Sequence, residues 1–241
     1  MTTQTPATLP MAGTPGGPEL DDPAEAARYA LLQRLAPALQ HHLMGKFQSV
    51  GMIASMMERR FQLGQPDLGS LREDCQSLSS VSRNTVEAIV NLMTWIEPNQ
   101  GATVALDTGV RECVGLLATK LRFKGFTLVN EVDELAVPVR TQALRSVLSA
   151  TLLALTDMLK VPATLVLRAV HTAGAVHLSV QVLPAEGGRK NSYANDYRAL
   201  RQRDVETLAL AESVQLTLDA SGARLVVPCA AAQECQGLQA G

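Results

Sequence analysis

Apolar residues at Leu32, Leu35, Leu39, Leu43, Phe47, Val50, Ile53, Met57 and Phe61 recur in steps of three and four. At about 100° per residue this makes one apolar stripe along a helix. The pattern predicts a helix from Asp22 to about Leu63, roughly 60 Å long at 1.5 Å per residue. Asp21, Asp22 and Pro23 open it with a cap candidate followed by proline at an early helical position. Pro37 lies inside the pattern. Proline removes one backbone donor and crowds the preceding turn, so the helix either kinks there or begins afresh. The stretch from Gly64 to Gly69 reads as a loop, and Ser70 with Glu73 has the capping-box spacing for a second helix. That helix carries Leu71, Cys75, Leu78, Ser82, Thr85, Ile89, Leu92 and Ile96 at alternating steps and stops before Pro98. Two long helices and a short loop form an antiparallel hairpin with an apolar stripe left uncovered. Pairing two copies into a four-helix bundle covers it, so a homodimer is expected.

After residues 98 to 101 the texture changes to short β-like runs mixed with helices, which marks a domain boundary. The pattern predicts helices over 107–123, 141–159 and 193–211. Strands are predicted over 126–131, 163–170, 174–183, 213–219 and 223–229, with turns at His171 to Gly174 and Ala220 to Gly222. The fold class is α+β: a helical hairpin over 23–98 followed by an α/β sandwich over 104–229 with helices on one sheet face. Residues 1–22, rich in Thr, Pro and Gly, read as a disordered tail, and 230–241 as a flexible one.

On this scaffold the wheel places His41 roughly 170° from the centre of the first stripe, on the water side, and His42 about 70° from it, near the seam. Ala38 and Gly45 flank His41 at i−3 and i+4, and their small size lets a second protein approach the ring. His41 is therefore the candidate chemical residue and His42 the neighbour or fallback.

Composition narrows the classes. A hydrophobic fraction of 46% suffices for a buried core, and a formal net charge of −2 gives no footprint for nucleic acid. No apolar run approaches the roughly 18 residues needed to cross a bilayer, so no membrane span is expected. The first residues lack the basic start and apolar block of a secretory signal, and Cys75, Cys113, Cys229 and Cys235 form no metal-ligand pattern. A reduced, cytoplasmic location and no bound metal are the expectations.

The two-part layout resembles the core of a bacterial sensor histidine kinase, a dimerising phosphoacceptor hairpin followed by an ATPase-like sandwich. The resemblance covers about residues 24 to 229. The family's acceptor segment reads His, acidic, Leu, x, x, Pro, apolar, and here it falls on His41, His42, Leu43, Met44, Gly45, Lys46 and Phe47. The acidic residue and the proline are replaced by His42 and Lys46, which implies weakened autokinase activity. The resemblance puts the family's magnesium-coordinating asparagine on Ala154, which offers no oxygen. The strand ending at Leu183 continues Pro184-Ala-Glu-Gly-Gly188 where the family has the adenine-reading Asp-x-Gly-x-Gly, and Arg189 to Asp196 supplies no glycine-rich lid. With three ATP elements missing, the chain is similar to histidine phosphotransferases built on a kinase scaffold.

That resemblance implies a phosphorelay protein that accepts and donates phosphoryl groups between response regulators through His41 without binding ATP or another cofactor. Its partners would be receiver domains, whose own magnesium neutralises the transition state. Neutral imidazole is a competent nucleophile near neutral pH. Lys46 is a further candidate, for steering the phosphoryl group or the receiver's acidic pocket, beside its plainer role as a solvated lysine. His171 and His177 are most simply structural, and Trp95, Met52, Met56 and Met57 read as core or interface filler. Lys190, Arg198, Arg201 and Arg203 form a basic cluster that is either a solvated face or a contact for an acidic receiver. The rival functions are a non-catalytic dimeric adaptor that binds a response regulator or kinase, and an active kinase with diverged motifs.

Overall fold

The computed structural model describes residues 22–64, 67–96, 99, 101–132, 134–159, 161–172, 174–185 and 197–230. The expectations for the two tails, for Lys190 and for the Glu186 to Asp196 stretch lie outside the described residues, Asp22 and Ala230 apart. Helix α1 (Pro23–Gln62) begins where Asp22 Oδ1 accepts the Ala24 N–H at 2.8 Å, and it runs unbroken through Pro37. Lys120 Nζ donates to the Arg34 carbonyl, one turn before the proline. The missing proline N–H leaves the Gln33 carbonyl without its helical donor, and the ammonium binds the carbonyl next to it.

Helix α2 (Leu68–Ile96) is capped by Asp67 and not by the expected Ser70 and Glu73 box. The Asp67 carboxylate accepts from the Gly69 and Ser70 N–H groups at 3.3 and 2.9 Å and from the Ser70 hydroxyl at 2.8 Å. These contacts hold its carboxyl below the usual range, the Ser70 N–H first among them. A carboxylate beside several unpaired N–H groups at a helix start satisfies donors that a serine two positions into the helix cannot reach.

The remaining chain forms β1 (Thr103–Ala105), α3 (Leu106–Phe123), β2 (Thr127–Asn130), β3 (Pro138–Arg140), a π-helical turn (Ala143–Leu148) leading directly into α4 (Ser149–Met158), β4 (Ala163–Thr172), β5 (Ala175–Pro184), α5 (Gln202–Ala211), β6 (Gln215–Asp219) and β7 (Gly222–Pro228). The main sheet has the order β2-β4-β5-β7-β6, with β2 parallel to β4 and all other pairs antiparallel. A small antiparallel pair, β1 with β3, was not read from the sequence; three-residue strands carry too little alternation to register.

Helix α5 starts at Gln202, nine residues later than the predicted 193. Asp204 explains the shift: its carboxylate binds Arg198 at 2.6 and 2.9 Å and accepts the Arg201 N–H at 2.8 Å, so it caps the helix instead of lying within it. Gly222 closes the β6–β7 hairpin at φ +152°, and a Cβ there would lie 2.1 Å from the Val180 carbonyl oxygen. Only glycine allows β5 and β7 to pair at this point.

One hydrophobic core unites Leu106, Val110, Cys113, Leu117 and Leu121 of α3, the apolar residues of the π turn and of α4 up to Leu155, the inner sheet face, and Ala27, Ala30, Leu31, Leu35 and Leu39 of α1. The base of the hairpin is therefore packed into the sandwich. Ionic contacts reinforce the junction. Arg34 and Asp157, both almost fully buried, form two hydrogen bonds at 2.5 and 2.9 Å. Buried Glu212 faces Arg28 and Arg140, each at 3.4 Å.

Candidate functional site

Leu39 of α1 is buried and Leu43 half-buried, and this phasing turns His41 and His42 outward, where both are exposed. The expectation that His42 packs at the seam fails: α3 stands beyond the hairpin edge and leaves open clefts there instead of closed packing. A first cleft, of about 360 Å³, lies between α1, α2 and α3, and His42, Lys46, Asn91, Trp95, Arg111 and Glu112 line it. A second, of about 310 Å³, lies between α1 and α3, where His41 and His42 share the wall with Ala38, Thr119, Lys120 and Phe123. Gly115 of α3 borders both, and a Cβ built there meets nothing within 4 Å.

The candidates thus divide between two sides of α1. Lys46 is four residues from His42 and sits with it in the first cleft, whereas His41 lines only the second of these two. On the helical wheel Lys46 and His41 stand about 140° apart. Lys46 is not brought to His41, and the cations on His41's side are Lys120 and Lys124, which the sequence reading did not single out.

Arg145 organises the back of the first cleft. Its guanidinium lies 4.9 Å from the centre of the Trp95 ring and donates to Thr94 Oγ1 at 2.5 Å, Asn91 Oδ1 at 2.8 Å and Glu112 Oε2 at 3.0 Å. The contacts tie the end of α2 to the π turn and α3, and the cation over the indole adds to this attachment. Trp95 is buried as expected, while Met52 and Met56 remain exposed on the single chain. An arginine inside an otherwise apolar helix was the signal that could have located this network, since a buried guanidinium requires partners.

Ala154, where the resemblance puts a magnesium ligand, is fully buried in the core. Among the described residues no group of three or more His, Cys, Asp or Glu side chains is placed to hold a metal ion. His171 lies in β4 and not in the turn, with Nε2 3.7 Å from Cys229 Sγ. Burial pushes the Cys113 thiol up to about 12, which keeps it a neutral core residue. Arg198 pairs with Asp204, and Arg201 and Arg203 are exposed.

No protein-family profile matches this chain, and no curated protein sequence does. Solved structures similar to it include the Acinetobacter baumannii histidine kinase AdeS, at 12% identity and TM-score 0.39 over 73% of this chain and 94% of that one. The Erythrobacter litoralis EL346 blue-light activated histidine kinase is 12% identical, with TM-score 0.41, over 76% of this chain and 63% of that one. The catalytic domain of histidine kinase ThkA is 10% identical, with TM-score 0.37, over 53% of this chain and 96% of that one. Among the described residues no helix is long and apolar enough to cross a membrane.

Proposed function

We propose that this chain is a histidine phosphotransfer protein of a bacterial two-component phosphorelay, with His41 as the phosphoacceptor. The observation that carries the reading is an exposed His41 on an uninterrupted helix, at the lip of a cleft walled by α3, with small Ala38 beside it. The hairpin and sandwich order that prompted the resemblance is also the order of the fold.

In the reaction, an imidazole nitrogen of His41 attacks the phosphorus of a receiver's phospho-aspartate. A P–N bond forms as the P–O bond breaks, and the aspartate leaves as carboxylate with the electron pair. Magnesium on the receiver balances the charge of the transferring group, so this chain contributes position and access. Transfer to a second receiver is the reverse reaction on a new aspartate. Ala154, apolar and buried, is consistent with a chain that takes phosphate from another protein and not from ATP.

The proposal includes a homodimer. Val86, Val90 and Met93 on α2, with Phe47 on α1, are exposed large apolar residues of the hairpin, and a second copy would cover them in a four-helix bundle.

The test is incubation with phosphorylated receiver domains and detection of acid-labile phosphate on this chain, using the wild type, His41→Ala and His42→Ala. Label lost with His41→Ala and kept with His42→Ala supports the proposal. Label lost only with His42→Ala moves the acceptor by one residue. No label from receivers that bind overturns phosphotransfer in favour of the adaptor.

A further inference from the structure

The first cleft contains more chemistry than phosphotransfer at His41 uses. Its floor is apolar, formed by Leu39, Leu92, Leu116 and the Trp95 ring, and its rim carries Lys46, Arg111 and His42. Among the charged side chains that line the cleft, Lys46 and Arg111 stand against Glu112, so two against one leaves one net positive charge before His42 is considered. Glu112 is engaged by Arg145, and Asp107 binds Arg111 in an exposed pair along α3. An exposed pair of this kind is weak, so the Arg111 guanidinium is available to a competing anion.

Asn91 is preorganised. Its Oδ1 is taken by Arg145, which leaves its amide NH₂ as a donor on a residue that lines the cleft. Arg145 also fixes Trp95 from outside, since it stands over the ring but does not line the cleft. A volume of about 360 Å³ falls in the range of small-molecule sites, which join an apolar floor to a few convergent polar groups.

We propose that the cleft between α1, α2 and α3 binds a small aromatic phosphate monoester, its head held by Lys46, Arg111 and Asn91 and its ring laid on Leu39, Leu92 and Trp95. A dianionic head suits two cations and an amide donor better than a carboxylate does, and the ring replaces water on the apolar floor. An occupant would cover His42 and leave the His41 side of α1 open, which makes the site separate from phosphate acceptance.

The protein supplies its own reporter, because Trp95 is its single tryptophan. Phenyl phosphate is titrated into the protein while the Trp95 emission is followed, with calorimetry in parallel and phenol and inorganic phosphate as separate ligands. The expected result is saturable binding of phenyl phosphate, weaker binding of either fragment, and at least fivefold loss of affinity in Lys46→Ala/Arg111→Ala. Gly115→Leu, whose Cβ would meet nothing within 4 Å on the wall of the cleft, should also block binding. His41→Ala should bind as the wild type does, so a failure of phosphotransfer and a failure of this site are read separately. Absence of saturable binding, fragments that bind as tightly as phenyl phosphate, or a double variant within fivefold of wild type would each overturn the proposal.

Discussion

Arg34 shows how a single residue links the two parts of the molecule. It is buried on α1, pairs with Asp157 of α4 and donates to the Arg198 carbonyl at 3.1 Å, while Asp157 also accepts the Leu200 N–H at 3.1 Å. Removing one member of a buried ion pair leaves the other uncompensated, so Arg34→Met should cost about 3–5 kcal/mol in urea unfolding. Arg34→Met/Asp157→Leu should lose markedly less, since neither charge is then stranded. Asp204 makes a different prediction, one of pH. Its carboxyl is held below the ordinary aspartate range, first by the Arg198 guanidinium and then by the Arg201 N–H. A depressed folded value adds stability above the ordinary range, about pH 4, and loses it as pH falls through the folded value. Asp204→Asn should therefore be less stable than wild type at neutral pH, with the difference closing on acidification. A gap that widened in acid would contradict the assigned role.

At the scale of elements, the long periodic segments and the strands of the main sheet were legible, while the three-residue β1 and β3 and the capped start of α5 were not. Both hairpin helices and α3 follow from stripes that repeat over many turns, where chance matches are few. The start of α5 lies later than the predicted 193 because the bonds of Asp204 to Arg198 and to the Arg201 N–H cap the helix there, a local arrangement that helical periodicity does not register. Lys120, 83 residues beyond Pro37, binds the Arg34 carbonyl in the turn before it, a contact that no local pattern reveals. The end of α5 offers a test. Ser213 adopts φ +57°, the left-handed conformation that glycine usually provides after a helix, and Val214 N–H closes the turn on the Ala209 carbonyl at 2.8 Å. Ser213→Gly should raise the unfolding free energy by about 1 kcal/mol, because the Cβ strain of that conformation disappears. A loss of stability would show that the serine side chain matters more than its backbone angle.

Across the whole molecule, the sequence revealed that an exposed histidine stands on a helix but not what faces it. The α3 wall, Lys120 and the Arg145 network arrive through contacts between distant segments, and that is why Lys46 was associated with His41 although it lies on the side of His42. The uncovered apolar face of α2 leads to an oligomer prediction: light scattering should give twice the chain mass for wild type and one chain mass for Val86→Glu/Val90→Glu. A monomeric wild type would remove the four-helix bundle from the account. The central claim is relay through His41, and the direct measurement follows phosphate from one labelled receiver through this chain to a second, unlabelled receiver, with no ATP present. The account predicts transient acid-labile label on this chain, onward transfer to the second receiver, and loss of both steps in His41→Ala. Transfer that proceeds equally well with His41→Ala, or direct exchange between receivers without this chain, would contradict it.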